Sequence, residues 1–350
     1  MLSIVAVLIA RDEERSIARA VRSVRDAVDR VVVLDTGSED ATILQATRAG
    51  AEVYQAPWSD DFSAARNIAL EYADADVHLI LDADEWLTAG HAWLTQFAHA
   101  AAPEYVGIAQ VWNEPDLGSG TTGRYTLSER LLPRTVRYRG RVHEQPHHSL
   151  PTIQTPLILA HDGYQTAQQQ RKRGRNEALI RAELHTNPHN PYLLYQLGKE
   201  LQATQRFTES AEYLHRAWVT GPPEAPWRHS LVVRALAVLG AAGRFTEALA
   251  IAKAEEPTWK ESPDYWFALG NLLSDLGAAH ATTAPTALPL VEHAWKKCLE
   301  IGERPDLEGA VPGRGSWLAA HNLAELYTAT GNNHLAQHYA AIATQTAQKP

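Results

Sequence analysis

Two aspartates spaced one residue apart, Asp82 and Asp84, close the apolar run Val77-His78-Leu79-Ile80-Leu81. Such a run reads as a buried strand, and in open α/β sheets ligands gather at the carboxyl ends of strands. On an extended backbone both carboxylates would face the same way. Paired hard oxygen ligands suit Mg²⁺ or Mn²⁺, which keeps waters and takes substrate phosphates as further ligands. Taken alone, the motif equally describes a solvated strand end. Two further polar sets follow apolar runs in the same manner: Arg11-Asp12-Glu13 after residues 3–10, and Asp35 after Val31-Val32-Val33-Leu34. Asp35 alone is an ordinary turn aspartate. Three such sets, with Arg66-Asn67 leading into the last, point to a nucleotide-diphosphate site.

The elements that must position these residues alternate. Ile17, Val21, Val24 and Val28 fall at helical spacing within 13–28, a second helix is expected from about Ala41, and a third over 63–72. Gly37 permits a tight turn, and Ser38 or Asp40 can cap the second helix. Glu52-Val53-Tyr54 reads as a short strand. Strands alternating with helices imply βαβ units and a largely parallel sheet whose strand ends converge on one crevice.

The order of these pieces resembles the family 2 glycosyltransferases of the GT-A fold. Within them it is similar to the subgroup of sublancin-type peptide S-glycosyltransferases and lipopolysaccharide-core β-glucosyltransferases. The likeness is carried by Ala10–Glu14, Val33–Thr42, Trp58–Asn67 and Leu81–Glu85. It implies that Asp35 receives the uracil imide of a nucleotide sugar and that Arg66 lies near the uracil or diphosphate. It also implies that Asp82 and Asp84 hold ribose and metal. Arg11 and Asn67 are counted with the donor-binding residues. Where the family has lysine-asparagine before its first acids, this chain has Arg11-Asp12.

Val106 to Trp112 and Tyr125 to Leu132 read as further strands. Between them Gly118-Ser119-Gly120-Thr121-Thr122-Gly123 matches the dinucleotide fingerprint by letter, yet a strand follows it where the fingerprint needs a helix. It is expected to be a mobile loop on the acceptor side. His143-Glu144-Gln145-Pro146-His147 fits HExxH, but Pro146 forbids the helical turn a zinc protease needs. Arg139–Gln145 instead resembles the subgroup's second motif. An inverting transferase needs a base beside the acceptor atom. Glu144 is the expected base, with His143 orienting it or contacting the diphosphate. His161 sits where the subgroup returns a histidine to the site, as a metal ligand or diphosphate donor. Arg130 and Arg134 are either phosphate clamps or ordinary surface residues.

A polar helix over about 165–188 leads into a self-similar half. Gln205–Ala211 recurs as Gly243–Leu249, 38 residues later, and Leu197-Gly198 recurs as Leu269-Gly270. Pro191, Pro222, Pro263 and Pro305 fall between units. Paired helices with small residues at their crossings resemble tetratricopeptide repeats, four of them and irregular, with an insertion at Ala278–Pro289. Tyr192, Tyr195, Trp227, Trp259 and Trp266 either line a peptide-binding surface or fill the repeat core. Cys298 reads as buried packing.

The domain expectation is 1–165 for the α/β GT-A domain, 166–190 for a linking helix and 191–350 for an all-α repeat domain. A net charge of −9 argues against a nucleic-acid surface. The dense basic run of Arg171, Lys172, Arg173 and Arg175 is read as a solvated helix face. No apolar run reaches the ~18 residues of a membrane span, and the N-terminal run lacks a basic leader, so a cytoplasmic protein is expected. The combined expectation is a metal-dependent inverting enzyme, using Mg²⁺ or Mn²⁺, that moves a hexose such as glucose from a UDP-sugar to a cysteine, serine or threonine of a peptide or protein. The alternatives are a saccharide acceptor of lipopolysaccharide type, or a peptide-binding scaffold with a degenerate nucleotide-sugar fold. Family likeness suggests a homodimer.

Overall fold

The computed structural model describes residues 1–113, 124–161, 166–280 and 282–347. Its contacts divide the chain into two compact units, Met1–Ile180 and Arg181–Pro350.

In the first unit β1 (Ile4–Ala10) is flanked on both sides by parallel strands, β2 (Arg30–Asp35) and β4 (Val77–Asp82), and β3 (Glu52–Gln55) extends the sheet beyond β2. The uninterrupted apolar run of β1 follows from burial on both faces. Ile4, Ala6 and Leu8 enter one core cluster with α1 (Ile17–Val24), and Val5 and Val7 enter another with α3 (Phe62–Ala73). In α1, Ile17, Ala20, Val21 and Val24 are buried, so the expected periodicity holds. The helix stops at Val24, however, and Val28 is extended, because a 3₁₀ turn over Arg25–Ala27 turns the chain toward β2. The second helix, α2 (Thr42–Ala49), has Ala41 at its N-cap, and Asp40 just before it accepts the Thr42 amide on Oδ1 at 2.9 Å. Asp61 caps α3 through the Ala64 amide.

The second half of the sheet is mixed and less legible from sequence. After β4 come β5 (Glu85–Ala89), α4 (His91–Phe97), β6 (Val106–Asn113), β7 (Arg124–Pro133) and β10 (Thr152–His161), with a small hairpin of β8 (Arg137–Arg139) and β9 (Gln145–His147) alongside. The sheet order is β3-β2-β1-β4-β7-β6-β10-β5. Gln145–His147 is strand, which removes the HExxH helix. The Gly118–Gly123 loop lies outside the described residues, as do the side chains of Arg171, Lys172 and Arg173.

A long helix, α5 (Thr166–Thr186), precedes four helical hairpins: α6 (Pro191–Ala203) with α7 (Phe207–Thr220), α8 (Arg228–Ala241) with α9 (Phe245–Trp259), α10 (Pro263–Ala279) with α11 (Ala284–Ile301), and α12 (Trp317–Ala329) with α13 (Asn333–Ala347). The repeated glycines mark close crossings. A Cβ on Gly198 would lie 2.5 Å from Leu214 Cδ2, and one on Gly270 2.4 Å from the Trp295 indole nitrogen. Ala278–Pro289 is no inserted loop, since helix resumes at Ala284. The extra residues fall instead between α11 and α12, where Arg314 bonds the buried Asp264 at 2.9 Å and the Glu308 carbonyl meets the His229 ring at 2.7 Å. Tyr195 and Trp266 are buried, Tyr195 stacking on Trp227. Cys298 is buried as expected, and burial pushes its thiol up.

Candidate active site

A cavity of about 290 Å³ opens in the first unit at the carboxyl ends of β1 and β4. Arg11, Arg66, Asp82, Asp84, His143, Glu144 and His161, seven of the expected site residues, line it. They reach it from five separate stretches of chain, so the convergence is a product of the fold.

Arg66 is the hinge of the arrangement. From the second turn of α3 its Nη2 donates to Asp82 Oδ1 and its Nε to Glu144 Oε1, both at 2.5 Å. Arg66 is 8% exposed, and its ring contact with Tyr138 lies 5.2 Å from the guanidinium carbon. Burial opposes the charge, yet the Asp82 and Glu144 carboxylates outweigh it and raise the proton affinity of Arg66. Asp82 takes a second cation, Arg130, at 3.3 Å. Burial by itself would lift the Asp82 carboxyl, but Arg130 and Arg66 hold it well below the usual range.

Asp84 occupies a different backbone from the one expected. The strand ends at Asp82, and Asp84 lies in the turn to β5. Glu85 shapes that turn: its Oε2 accepts the Asp82 amide at 2.9 Å while its Oε1 takes Arg130 at 2.6 Å. Burial raises the Glu85 carboxyl to about 7 despite Arg130. Asp84 meets β10 instead, where His161 Nε2 lies 3.4 Å from its Oδ2. The bond to Asp84 overcomes burial and raises the proton affinity of His161.

The donor set decides how a divalent cation would fit. Asp84 and His161 offer one oxygen and one nitrogen side by side at the cavity, and Mg²⁺ or Mn²⁺ completes so sparse a set with water and substrate phosphate. Asp82, expected as a third ligand, has its oxygens directed at two guanidiniums. Among the described residues no group of three or more histidines, cysteines and acids could hold a metal.

Two expected donor-binding residues are elsewhere. Asp35 is 1% exposed and absent from the cavity wall. Its carboxylate accepts the amides of Gly37 and Ser38 and the Ser38 hydroxyl, which is the turn role its type also fits. Asn67 spends both ends of its amide on Tyr138, donating to the carbonyl at 3.0 Å and accepting from the amide at 2.8 Å. It fastens the start of the Arg139–Gln145 segment to α3, next to Phe62, whose amide meets the Arg141 carbonyl at 2.8 Å. Arg130 acts from behind the cavity through Asp82 and Glu85, and Arg134 pairs with Asp74 at the surface. Arg175 is a charged cavity residue that sequence reasoning missed. Its basic run was the signal, and that run resembles a solvated helix face.

Three residues of the cavity loops hold left-handed backbone without being glycine: Asp12 (φ 54°), Asp60 (φ 56°) and His143 (φ 50°). Side-chain bonds compensate two of them. Asp12 accepts the Glu39 amide, and Asp60 accepts the Trp58 indole N–H.

Residues 5–155 match the family model of glycosyl transferase family 2. They are a family 2 glycosyl transferase domain. The helical hairpins that follow are tetratricopeptide-like. The chain is 32% identical over 246 residues to a TPR repeat-containing protein of Synechococcus elongatus, covering 66% of this chain and 60% of that protein. It is 29% identical over 221 residues to the SPbeta prophage-derived glycosyltransferase SunS of Bacillus subtilis, covering 60% and 52%. A shorter match, 38% over 88 residues, links it to an uncharacterized glycosyltransferase of Rickettsia felis, with 25% and 31% covered. The chain thus spans roughly half to three fifths of the two longer relatives. Among the described residues no helix is long and apolar enough to cross a membrane.

Proposed function

We propose that this chain is a metal-dependent inverting glycosyltransferase that moves a hexose, glucose first among the candidates, from a UDP-sugar to a cysteine, serine or threonine side chain of a peptide or protein. The observation that carries the reading is the presence in one cavity of a carboxylate–imidazole pair, Asp84 with His161, and a separately held carboxylate, Glu144, joined to Asp82 through Arg66.

Asp84 and His161 would hold a divalent cation, which when bound neutralises charge on the departing diphosphate. Glu144 serves as the base. Arg66 fixes its Oε1, leaving Oε2 to take the proton of the acceptor thiol or hydroxyl as that atom attacks the anomeric carbon. Attack opposite the leaving diphosphate inverts the anomeric centre. Asp82, with 39% of its side-chain surface open, offers acceptor oxygens to the ribose hydroxyls. The peptide acceptor rests on the resemblance to the sublancin-type enzymes and on the helical repeats, a common peptide-binding architecture.

The test is UDP release from a panel of UDP-sugars in the presence of Mn²⁺, Mg²⁺ or EDTA. EDTA-sensitive release from one sugar, abolished by Asp84→Ala, supports the reading. Release that is indifferent to EDTA and to Asp84→Ala refutes the metal assignment.

A further inference from the structure

Resting on the reading of the cavity as a nucleotide-diphosphate site, we propose that Arg175 of α5, together with Arg11, forms an anion-binding wall that receives the diphosphate of the donor. Arg66, the third arginine of the cavity, is committed to Asp82 and Glu144. Arg11 and Arg175 differ from it. Both are exposed and both line the cavity, and among the described residues no carboxylate is ion-paired with either, although Glu13 and Asp60 act on Arg175 from a longer range.

Arg175 is nevertheless held in place. Its guanidinium carbon lies 5.1 Å from the Phe62 ring centre and 6.0 Å from that of Trp58. Those rings meet edge to face at 4.7 Å, and Trp58 is pinned by its 2.8 Å bond to Asp60. A guanidinium resting on an aromatic surface keeps its in-plane N–H groups available, and their fork matches two phosphate oxygens. Burial, and after it the positive charge of Arg11, weakens proton binding at Arg175. Two like charges near one another at an open wall repel, and an anion carrying more than one negative charge relieves that repulsion. The diphosphate meets this requirement.

Arginine at 175 thus becomes a binding residue contributed from beyond the segment that matches the family model, which ends at residue 155. The stacked geometry also distinguishes arginine from lysine, whose ammonium binds phosphate as a point charge without the fork.

The experiment is calorimetric titration of the full chain and its Arg175→Gln and Arg175→Lys variants with uridine, UMP, UDP and inorganic pyrophosphate. Loss of a charge-assisted contact predicts that Arg175→Gln weakens UDP and pyrophosphate about tenfold or more and leaves uridine within about twofold. Arg175→Lys is expected to recover part of the UDP loss. Unchanged UDP affinity in Arg175→Gln, or an equal loss for uridine and UDP, overturns the assignment of Arg175 alone. Failure of the unaltered chain to bind UDP at all overturns the nucleotide-diphosphate reading, and the assignment falls with it.

Discussion

Replacing Arg66 with methionine keeps most of the side-chain volume and removes the cation shared by Asp82 and Glu144. The two carboxylates are unequally exposed to the loss. Asp82 retains Arg130 at 3.3 Å and has 39% of its side-chain surface open to solvent, so its share is small. Glu144 is 10% exposed and loses the guanidinium bonded to its Oε1. Removing one member of a buried ion pair costs about 3–5 kcal/mol, and the solvated share of Asp82 brings the expectation to about 3 kcal/mol. For a unit of this size that corresponds to a fall of about 6–12 °C in the transition that unfolds it. The assay is thermal and urea unfolding of the full chain, followed by circular dichroism, for Arg66→Met, Glu144→Gln and the double variant. Because most of the cost is an uncompensated Glu144, the double variant is expected to be more stable than the sum of the singles by about 2 kcal/mol. Additive losses, or a loss below about 1 kcal/mol for Arg66→Met, would show that the bridge between the two carboxylates is not what holds this site.

His78 lies near the start of β4 with both ring nitrogens buried and without a hydrogen-bond partner, and burial, aided by Arg137 and Arg134, lowers its pKa to about 4. Between about 4 and the 6.5 of an unfolded histidine, the unfolded chain binds the extra proton, so stability falls as pH drops through that window, by up to about 2–3 kcal/mol. His78→Leu is expected to flatten this acid limb, and an unchanged slope of stability against pH between 4 and 6.5 counts against it. Asn67→Ala removes both bonds to the Tyr138 main chain and is expected to destabilise by about 2 kcal/mol, with faster amide exchange at Tyr138 itself. Protection at Tyr138 equal to that of the parent would argue against the clamp. In the repeats, Gly270→Ala places a methyl against the Trp295 indole and is expected to cost at least about 1 kcal/mol, read from the urea midpoint.

The parallel half of the sheet and its polar strand ends were legible because they are local signals. An apolar run followed by acids needs only ten residues to declare itself, and β1, β2 and β4 all do so. The bonds that Asp35 and Asn67 make were illegible for the opposite reason. Each residue is an amide or carboxylate beside the site in sequence, but what it does depends on partners that spacing does not reveal. Asn67 answers to Tyr138, 71 residues away, and Asp35 to the amides of its own turn. The turn at Asp84 is set by the Glu85 side chain, so an extended reading of Asp82-Ala83-Asp84 had no means of anticipating it. Strands β5 and β10 are not declared locally, because β10 pairs with β5 across more than 60 residues and with β6 across more than 40. In the helical half the repeated glycines carried real information, whereas the long connection before α12 has no counterpart in the other units from which it could be inferred.

The three left-handed residues around the cavity bear on how this protein can be changed. Replacement by glycine would relieve the backbone strain of those conformations. Here the same replacements would untie Asp12 from the Glu39 amide, release the Trp58 indole from Asp60, and delete the imidazole of His143 from the wall. Variation that hardens the scaffold and variation that preserves its reactivity therefore compete for the same three positions. A lineage under heat stress and one under selection for turnover would be expected to part company there first.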